Sequence, residues 1–245
     1  MAKKNIVETT PEIPEVPSAL GYKIELKCKN AKQKEFVKSL NVKKKEICFG
    51  EGAAGSGKSY LSLAWALKQL KDNAFKKIVL VIPTAQAVEA DMAMGYLKGE
   101  LEDKVAPFLA ADEETITKIL TLSGNNNAKK YAKALIKEGF IQYEFVNFLL
   151  GKTLDDAIIL VNEAEQYTKG NMRLILTRLG ENSKIIITGD PKQTTRKSIK
   201  NNQEPNGLTD TIEKLQDLDE VSITIFGEED IVRNKLISKI LERLD

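Results

Sequence analysis

The amino-acid sequence predicts an α/β protein in which helices cover both faces of a parallel β-sheet. Short segments that are apolar throughout alternate along the chain with segments of helical periodicity, and a strand buried on both faces needs such a continuous apolar run. The stretch 52–59 also fits the phosphate-loop pattern of two glycines five residues apart followed by Lys and Ser. An apolar run precedes this loop and a helical pattern follows it, which is the setting that the motif requires.

Composition and charge limit the possible classes of protein. The 245 residues are 42% hydrophobic and 29% charged, as in ordinary globular domains, and the net charge of +2 gives no sign of a nucleic-acid partner. The chain has no histidine, which excludes a histidine base, a Ser-His-Asp triad and histidine-ligated metal sites. No apolar run is long enough to span a membrane, so no membrane partner is expected. Cys28 and Cys48 lie in apolar segments and are predicted to be buried thiols of a cytoplasmic protein, not a disulfide.

The first elements are a tail, a strand and a helix. Prolines recur every third residue near the end of residues 1–18, which predicts a flexible extended tail, and residues 19–245 are expected to form one domain. Apolar residues alternate with charged ones over residues 22–28, so this segment is predicted to be an edge strand. Asn30 is in position to cap a helix over residues 31–40.

The remaining elements follow from the apolar runs and their spacing. Helices are expected over residues 60–67, 114–122 and 128–138, with residues 87–110 helical in pieces. Core strands are predicted at residues 47–49, 77–82, 141–145, 157–161, 184–188 and 221–226. This order of short strands and helices predicts a single parallel sheet.

The phosphate loop supplies the first group of candidate site residues. Its glycines allow backbone N–H groups to surround an anion, and the dipole of the following helix favours negative charge. Lys58 is expected to be exposed and to reach the β- and γ-phosphates, and the Ser59 hydroxyl is expected to hold Mg²⁺. The alternative is a flexible turn that matches the pattern by chance. The residues expected to contact the nucleotide here are Gly52, Ala53, Ala54, Gly55, Ser56, Gly57, Lys58, Ser59 and Tyr60.

A second group follows the apolar run 157–161. Acidic residues directly after a buried strand are typical of a Walker B site, where one carboxylate orients Mg²⁺ and the next activates the attacking water. Asn162 stands where an aspartate is expected; its amide oxygen can accept a hydrogen bond from a metal-bound water but adds no charge. Glu163 is the candidate base and a second candidate for the metal site. Acidic residues also follow strands without such a function, so the pattern indicates a Walker B site only when a phosphate loop is present as well.

A third group follows the apolar run 184–188. Residues 189–193 have the sequence Gly-Asp-Pro-Lys-Gln, and in helicase-like ATPases the glutamine of such a turn lies near the γ-phosphate. Gln193 is therefore a candidate γ-phosphate sensor, and Asp190 is a candidate both for sensing and for metal binding. A tight turn alone would explain the Gly, Asp and Pro, but it would not explain Gln193.

Taken together, these motifs resemble the PhoH-like family of phosphate-starvation-inducible ATPases from about residue 31 to the end of the chain. The matching positions are residue 33 and residues 52–61, 87–90, 95–99, 151–157, 162–165, 176–180, 189–193, 207–208 and 230–233. The resemblance implies a RecA-like fold akin to one motor domain of a superfamily 1 helicase, with ATP and Mg²⁺ as cofactors and RNA or another single-stranded nucleic acid as a partner. By the same resemblance, Gln33 contacts the adenine.

Departures from the family pattern leave the activity open. The family usually has Asp-Glu-Ala-Gln where residues 162–165 are Asn-Glu-Ala-Glu, which bears on metal binding. The arginine of the family's Thr-Arg-Pro motif is absent after the strand predicted at residues 77–82. The expected function is ATP hydrolysis coupled to nucleic acid. A non-hydrolysing, nucleotide-dependent binding or assembly module is the alternative, and a small-molecule kinase is a third.

The resemblance also predicts a shared active site. A helicase motor places its nucleotide between two RecA-like domains, the second of which supplies an arginine. One such domain is expected here, so either hydrolysis is very slow or a neighbouring subunit of a homo-oligomeric ring closes the site and supplies the arginine. Arg233, in the stretch that resembles the family's last motif, is the candidate. The alternative is a surface arginine paired with Glu229 or Asp230.

Mixing two inactive variants tests this arrangement. Lys58→Ala lacks an intact loop and Arg233→Ala lacks the arginine, so some interfaces of a mixed ring join an intact loop to an intact arginine. We expect ATP hydrolysis to return in part on mixing, because an arginine supplied in trans is worth about three to five orders of magnitude in rate. A mixture that stays inactive while its subunits exchange would contradict the shared site.

Overall fold

The computed structural model describes residues 18–83, 101–195, 199, 201, 205–232 and 243, with the backbone alone for residues 101–109. The predicted tail therefore lies outside the described residues, apart from Ser18. The chain is irregular up to residue 30 and then enters an α/β core.

Six parallel strands form one sheet within the described residues, which confirms the predicted fold class. The strands are β1 (Ile47–Gly52), β2 (Lys77–Ile82), β3 (Ile141–Phe145), β4 (Ala157–Val161), β5 (Lys184–Gly189) and β6 (Val221–Phe226). Their order across the sheet is β3-β2-β4-β5-β1-β6. Every residue of β4 and β5 is buried, which is why these central strands are apolar on both faces instead of alternating.

Helices cover both faces of this sheet. They are α1 (Ala31–Leu40), α2 (Lys58–Lys71), α3 (Leu101–Leu122), α4 (Ala128–Lys137), α5 (Lys169–Leu176) and α6 (Gly207–Leu215). Side chains of α1 to α4 form the core on one face, with Phe36, Leu67 and Ile119 fully buried there. Met172 of α5 and Leu208 of α6 belong to the core on the opposite face. The two faces thus bury the apolar residues on which the prediction rested.

The strand order places three carboxyl ends side by side. β5 lies between β4 and β1, with Val161 opposite Ile187 and Glu51 opposite Gly189. Because all the strands are parallel, the segments that follow β1, β4 and β5 leave from the same edge of the sheet. The phosphate loop and the other two groups of candidate residues therefore meet at this edge, which is where ligands bind in open α/β sheets.

The segment 22–28, which we call the strap, is not a strand, so that prediction is wrong. Its backbone crosses α2 and the end of α3 and pairs with no strand in the described part of the chain. The Tyr22 hydroxyl donates to the carbonyl of Leu67 at 2.6 Å, and the Asn125 side chain bonds to both the N–H and the C=O of Lys23. The alternating pattern therefore arises from a half-buried extended chain that packs on helices.

Three helices also differ from the prediction. α3 is one helix from Leu101 onward, whereas the sequence predicts separate pieces over residues 87–110; residues 84–100 lie outside the described part. Neither α5 nor α6 is predicted from the sequence. Both are short, and each begins at a polar side chain that accepts a backbone hydrogen bond, Thr168 for α5 and Asn206 for α6.

The structure also bears on the predictions about the two cysteines and about a membrane-spanning segment. Both cysteines are free, as predicted, but only Cys48 is buried; Cys28 is half-buried. Burial raises the pKa of Cys48, so this thiol stays protonated near neutral pH. Across the described ranges, none of the helices combines the length and the apolar composition that a membrane crossing needs.

A buried lysine stabilises the edge of the sheet opposite the loop. Lys184 is the first residue of β5 and is 4% exposed, and its Nζ donates to the backbone carbonyls of Leu40, Val42 and Lys45. The ammonium group also lies 5.7 Å from the centre of the Trp65 ring. Lys184 therefore ties the end of α1 and the turn that follows it to the central sheet.

Replacing Lys184 with Met should lower the free energy of unfolding by about 3 kcal/mol, because three backbone carbonyls lose their donor. Denaturant unfolding measures this change. Lys77→Met is the matched control, since Lys77 opens β2 in the same way but is only half-buried, and a change under about 1 kcal/mol is expected there. Equal effects of the two substitutions would contradict the role assigned to Lys184.

Candidate functional site

The phosphate loop connects β1 to α2 and leaves backbone donors at the start of that helix. Gly57, the residue before α2, has a left-handed conformation with φ of 87°, and no side chain caps the helix. Gly52 at the other end of the loop has φ of 116°, and a Cβ there would collide with the carbonyl oxygen of Phe226. The N–H of Ala53 donates to the same carbonyl at 3.1 Å. β6 thus determines the path by which the chain leaves β1, and this path requires glycine.

Lys58 folds back over the loop. Its Nζ donates to the carbonyls of Gly52 at 2.6 Å and Ala53 at 2.8 Å, and to the hydroxyl of Ser56 at 3.2 Å. The residue is 7% exposed, so the prediction of an exposed Lys58 is wrong. The reason is that the curled loop turns its own carbonyl oxygens toward the ammonium group.

Gln33 supports the loop from the side of α1. It is 2% exposed; its amide nitrogen donates to the carbonyl of Ser56 at 2.7 Å, and its amide oxygen accepts the N–H of Lys29 at 2.6 Å. Asn30 caps α1 by accepting the N–H of Gln33 at 2.8 Å. The start of α1 and the phosphate loop are therefore held together. The adenine contact of Gln33 stays a prediction, and its amide is already bonded at both ends within the protein.

Asn162 reaches the candidate metal ligand Ser59 through Thr188. The Thr188 hydroxyl donates to Asn162 Oδ1 at 2.9 Å and lies 3.0 Å from Ser59 Oγ. A hydroxyl carries one hydrogen, and that of Thr188 goes to Asn162, so Ser59 must be the donor to Thr188. In this Ser59–Thr188–Asn162 relay, Ser59 uses its hydrogen on Thr188, so its oxygen can still act as an acceptor. Sequence reasoning misses Thr188, whose only signal is that a polar residue ends an apolar strand.

Glu163 and Gln193 face the same cleft. Glu163 is exposed and has a left-handed backbone with φ of 51°, which is uncommon for residues other than glycine and asparagine or aspartate. Gln193 is exposed as well. Gln166 ties the two segments together, since its side chain donates to the carbonyl of Gln193 at 3.3 Å and its N–H donates to that of Glu163 at 2.9 Å. Both side chains thus extend from a backbone that is held in place.

A series of hydrogen bonds connects the ends of β4 and β5 to the phosphate loop. Glu165 Oε2 accepts the N–H of Asp190 at 2.9 Å, and Asp190 Oδ2 accepts the N–H of Ala54 at 3.2 Å. Gly189 permits this approach, because a Cβ on it would lie 2.6 Å from Glu165 Oε2. Asp190 therefore lies beside the loop, and its carboxylate bonds to a backbone donor of the loop.

Glu165 is a site residue to which the sequence analysis assigns no role. It is 1% exposed, and burial together with a hydrogen bond to Glu163 raises its pKa to about 7. The signal that could have identified it is the departure from the family pattern, glutamate in place of glutamine. Near neutral pH the two neighbouring carboxyl groups therefore carry fewer than two full negative charges.

The residues present fit a magnesium ion that is held mainly by phosphate and water. In the ranges that the structure describes, no group of three acidic, cysteine or histidine residues forms a metal cage. Mg²⁺ usually takes one or two protein ligands and completes its octahedron with water and phosphate oxygens. Ser59 offers one oriented oxygen, and the carboxylates of Glu163 and Asp190 line the same cleft.

One cleft of about 740 Å³ collects most of the predicted site residues. The predicted residues that line it are Gln33, Ala54, Gly55, Gly57, Lys58, Ser59, Tyr60, Glu163, Asp190 and Gln193. Four other predicted residues do not line the cleft but contact residues that do, through the hydrogen bonds described above; they are Gly52, Ala53, Ser56 and Asn162. Arg233 lies outside the described residues, so its role stays a prediction from the sequence.

Comparison with known proteins identifies a family. The sequence profile described as PhoH-like protein matches residues 25–245. A PhoH-like protein of Bacillus subtilis (strain 168) is 35% identical over 249 residues, which cover 100% of this chain and 72% of that protein. A PhoH-like protein of Mycobacterium tuberculosis (strain ATCC 25618 / H37Rv) is 31% identical over 214 residues, 87% of this chain and 56% of that protein. Protein PhoH of Escherichia coli (strain K12) is 28% identical over 216 residues, again 87% and 56%.

Asn162→Asp should lower the Mg²⁺ concentration required for ATP hydrolysis. The carboxylate keeps the acceptor for Thr188 and adds a negative charge near the metal, and a hard cation prefers a carboxylate to an amide oxygen. We expect a shift of roughly fivefold, equal to about 1 kcal/mol for one charge beside a partly exposed cation. Titration of the hydrolysis rate and of ATP binding with Mg²⁺ measures the shift.

Two further variants make this result specific. Asn126→Asp adds the same charge at an exposed position that does not line the cleft, and it should leave the titration unchanged. Thr188→Val removes the middle of the relay and should raise the Mg²⁺ requirement, because Ser59 loses its acceptor. Unchanged titrations for both Asn162→Asp and Thr188→Val would contradict a role of the relay in metal binding.

Proposed function

Because this chain belongs to the PhoH-like protein family, we propose that it hydrolyses ATP in a magnesium-dependent reaction coupled to RNA or another single-stranded nucleic acid. The observation that carries the proposal is that the phosphate loop, Glu163 and Gln193 converge on one cleft at the carboxyl ends of β1, β4 and β5. Hydrolysis of a triphosphate needs these three parts: donors for the phosphates, a group that positions the water, and one that contacts the γ-phosphate.

Phosphate binding would exchange hydrogen bonds in the loop. Lys58 Nζ donates to loop carbonyls, and the N–H of Ala54 donates to Asp190. The phosphate oxygens offer stronger, charged acceptors to both donors. Since the ammonium group of Lys58 passes from one set of partners to another, the exchange avoids leaving a buried charge unpaired.

The relay would orient the metal ligand. When bound, Mg²⁺ would neutralise charge on the phosphates. The contribution of the protein is to hold the Ser59 hydroxyl with its hydrogen directed at Thr188, which leaves its oxygen as the ligand. Asn162 needs only to accept a hydrogen bond in this arrangement, and an amide oxygen does so without a charge.

Glu163 is the proposed base that polarises the attacking water, and Gln193 is the proposed γ-phosphate sensor. Asp190 would link the sensor to the loop, because the N–H of Gln193 donates to the carbonyl of Asp190 at 2.9 Å. When a phosphate takes the N–H of Ala54, the Asp190 side chain loses that partner, and the turn that carries Gln193 can respond.

A second candidate function follows from the neutral residue at position 162. A protein that binds ATP and changes its affinity for a partner without turnover would need the phosphate loop but not an efficient metal site. Coupling to nucleic acid, a ring in which Arg233 completes a neighbour's site, and a cytoplasmic location belong to the main proposal and rest on the sequence. The chain spans 72% of the Bacillus subtilis relative and just over half of the other two.

ATP turnover measured with and without single-stranded RNA separates the two functions. Phosphate release that RNA stimulates supports the motor, and ATP binding without turnover supports the module. We expect Lys58→Ala to lower ATP affinity about hundredfold, because it removes a charge-assisted donor to two phosphates.

A matched lysine variant isolates the loss of charge at the loop. Lys45 Nζ also donates to a backbone carbonyl, that of Val221 at 2.7 Å, but it lies away from the cleft. Lys45→Ala should therefore leave ATP affinity unchanged, while thermal unfolding reports any loss of stability in either variant. If Lys58→Ala binds ATP as tightly as the unchanged protein, the site assignment is wrong.

A further inference from the structure

We propose that Gln166 is a positioning residue for hydrolysis, because it fixes the proposed base Glu163 and the proposed γ-phosphate sensor Gln193 relative to each other. The inference rests on the proposed function, since it takes ATP turnover as the reaction of this site. It adds to that function a side chain that does not line the cleft and on which turnover depends while nucleotide binding does not.

The side-chain amide of Gln166 uses its whole hydrogen-bonding capacity. The residue is 7% exposed. Its Nε2 donates to the carbonyl of Gln193 at 3.3 Å and to Glu165 Oε1 at 3.4 Å. Its Oε1 accepts the backbone N–H of Thr195 at 3.1 Å and the hydroxyl of the same residue at 3.0 Å. A primary amide offers two hydrogens and two lone pairs, so all four are occupied in this arrangement.

The turn that carries the sensor is fastened to the rest of the site through this amide. Within the turn, the N–H of Gln193 donates to the carbonyl of Asp190 at 2.9 Å, whereas the carbonyl of Gln193 is bonded to Gln166. The hydroxyl of Thr194 is buried and has no hydrogen-bond partner among the described residues, so it does not fasten the turn. The direction in which the exposed Gln193 side chain extends therefore depends on Gln166.

The backbone of Gln166 holds the segment that carries the base. Gln166 ends the short 3₁₀ helix Ala164–Gln166, which follows Glu163 directly. Its N–H donates to the carbonyl of Glu163 at 2.9 Å. Glu163 lies after β4 and Gln193 lies after β5, so beyond the sheet their spacing depends on contacts between the two segments. Gln166 makes this contact by bonding to one segment through its backbone and to the other through its side chain.

Turnover depends on this spacing more strongly than binding does. The four side-chain bonds of Gln166 all go to residues outside the phosphate loop, and the loop supplies the donors that hold the phosphates. Hydrolysis needs in addition a positioned water and a contact to the γ-phosphate at the same time. A displacement of about 1 Å in such a group can lower a rate about hundredfold. Loss of the Gln166 amide therefore acts on the chemical step.

Gln166→Met tests the proposal, because methionine is unbranched like glutamine but forms none of the four hydrogen bonds. Phosphate release in a single turnover, with Mg²⁺, saturating ATP and single-stranded RNA, reports the chemical step. Calorimetry with a non-hydrolysable ATP analogue reports binding. We expect the single-turnover rate to fall about hundredfold and the Kd of the analogue to stay within about threefold of its value for the unchanged chain.

Gln142→Met is the matched control. Gln142 is half-buried on β3, its amide donates to the carbonyl of Gly139 at 3.0 Å, and it does not line the cleft. The variant loses a buried amide with a backbone partner, as Gln166→Met does, but at a distance from the two segments of the site. Both the single-turnover rate and the affinity for the analogue should stay unchanged.

A pair of variants at Thr195 tests the same contact while Gln166 is kept. Thr195→Val loses the hydroxyl that Gln166 accepts, whereas Thr195→Ser retains it. We expect Thr195→Val to lower the single-turnover rate about fivefold, as for the loss of one hydrogen bond, and Thr195→Ser to keep the rate. This pair decides the question if thermal unfolding shows that Gln166→Met does not fold, and equal rates for the two variants would then overturn the positioning role.

The outcomes for a folded Gln166→Met separate the inference from the proposed function. An unchanged single-turnover rate would overturn the positioning role, while ATP hydrolysis by the unchanged chain would still stand. A rate and an affinity that fall together would mean that Gln166 stabilises the whole site, which overturns the positioning role as well. If the unchanged chain binds the analogue but releases no phosphate from ATP, the proposed hydrolysis fails and the positioning role fails with it.

Discussion

The position of β5 between β4 and β1 is the constraint on which the whole site depends. It brings the ends of three strands that are far apart in the sequence to one edge, where Thr188 can bond to both Ser59 and Asn162. The buried Lys184 at the opposite end of β5 ties the same strand to α1, and α1 in turn supports the loop through Gln33. A shift of β5 by one residue would reverse the faces of its side chains and break the relay.

The ammonium group and a backbone N–H of the phosphate loop are hydrogen-bonded within the protein. The carbonyls of the loop surround the ammonium group of Lys58, and the carboxylate of Asp190 accepts a loop N–H. These contacts fix the conformation of the loop in the absence of a ligand, so the loop has little conformational entropy left to lose on binding. The same contacts also oppose binding. A ligand must displace the Asp190 carboxylate from the loop N–H and the loop carbonyls from Lys58 before it forms its own hydrogen bonds.

Features that are set by a single segment of the chain can be predicted from the sequence. Features that depend on which segments lie side by side in the fold cannot. The apolar run of β4 identifies a buried strand without knowledge of its partners, and the glycines of the loop identify an anion site. The alternation over residues 22–28 reports half-burial, which packing on helices produces as well as pairing in a sheet does. Thr188 and Glu165 acquire their roles only from the order β4-β5-β1, and no spacing within the sequence encodes that order.

The amide at position 162 suits the charge distribution around it. Glu163, Glu165 and Asp190 already place three carboxyl groups near the ends of β4 and β5, and burial of Glu165 beside Glu163 raises the pKa of Glu165 to about 7. A carboxylate at position 162 would attract a metal ion, but it would add a fourth carboxyl group, and with it a further negative charge, where a triphosphate would bind. The relay needs only an acceptor for Thr188, which the amide of Asn162 provides. Orientation of Ser59, and not charge, is therefore what position 162 contributes to this site.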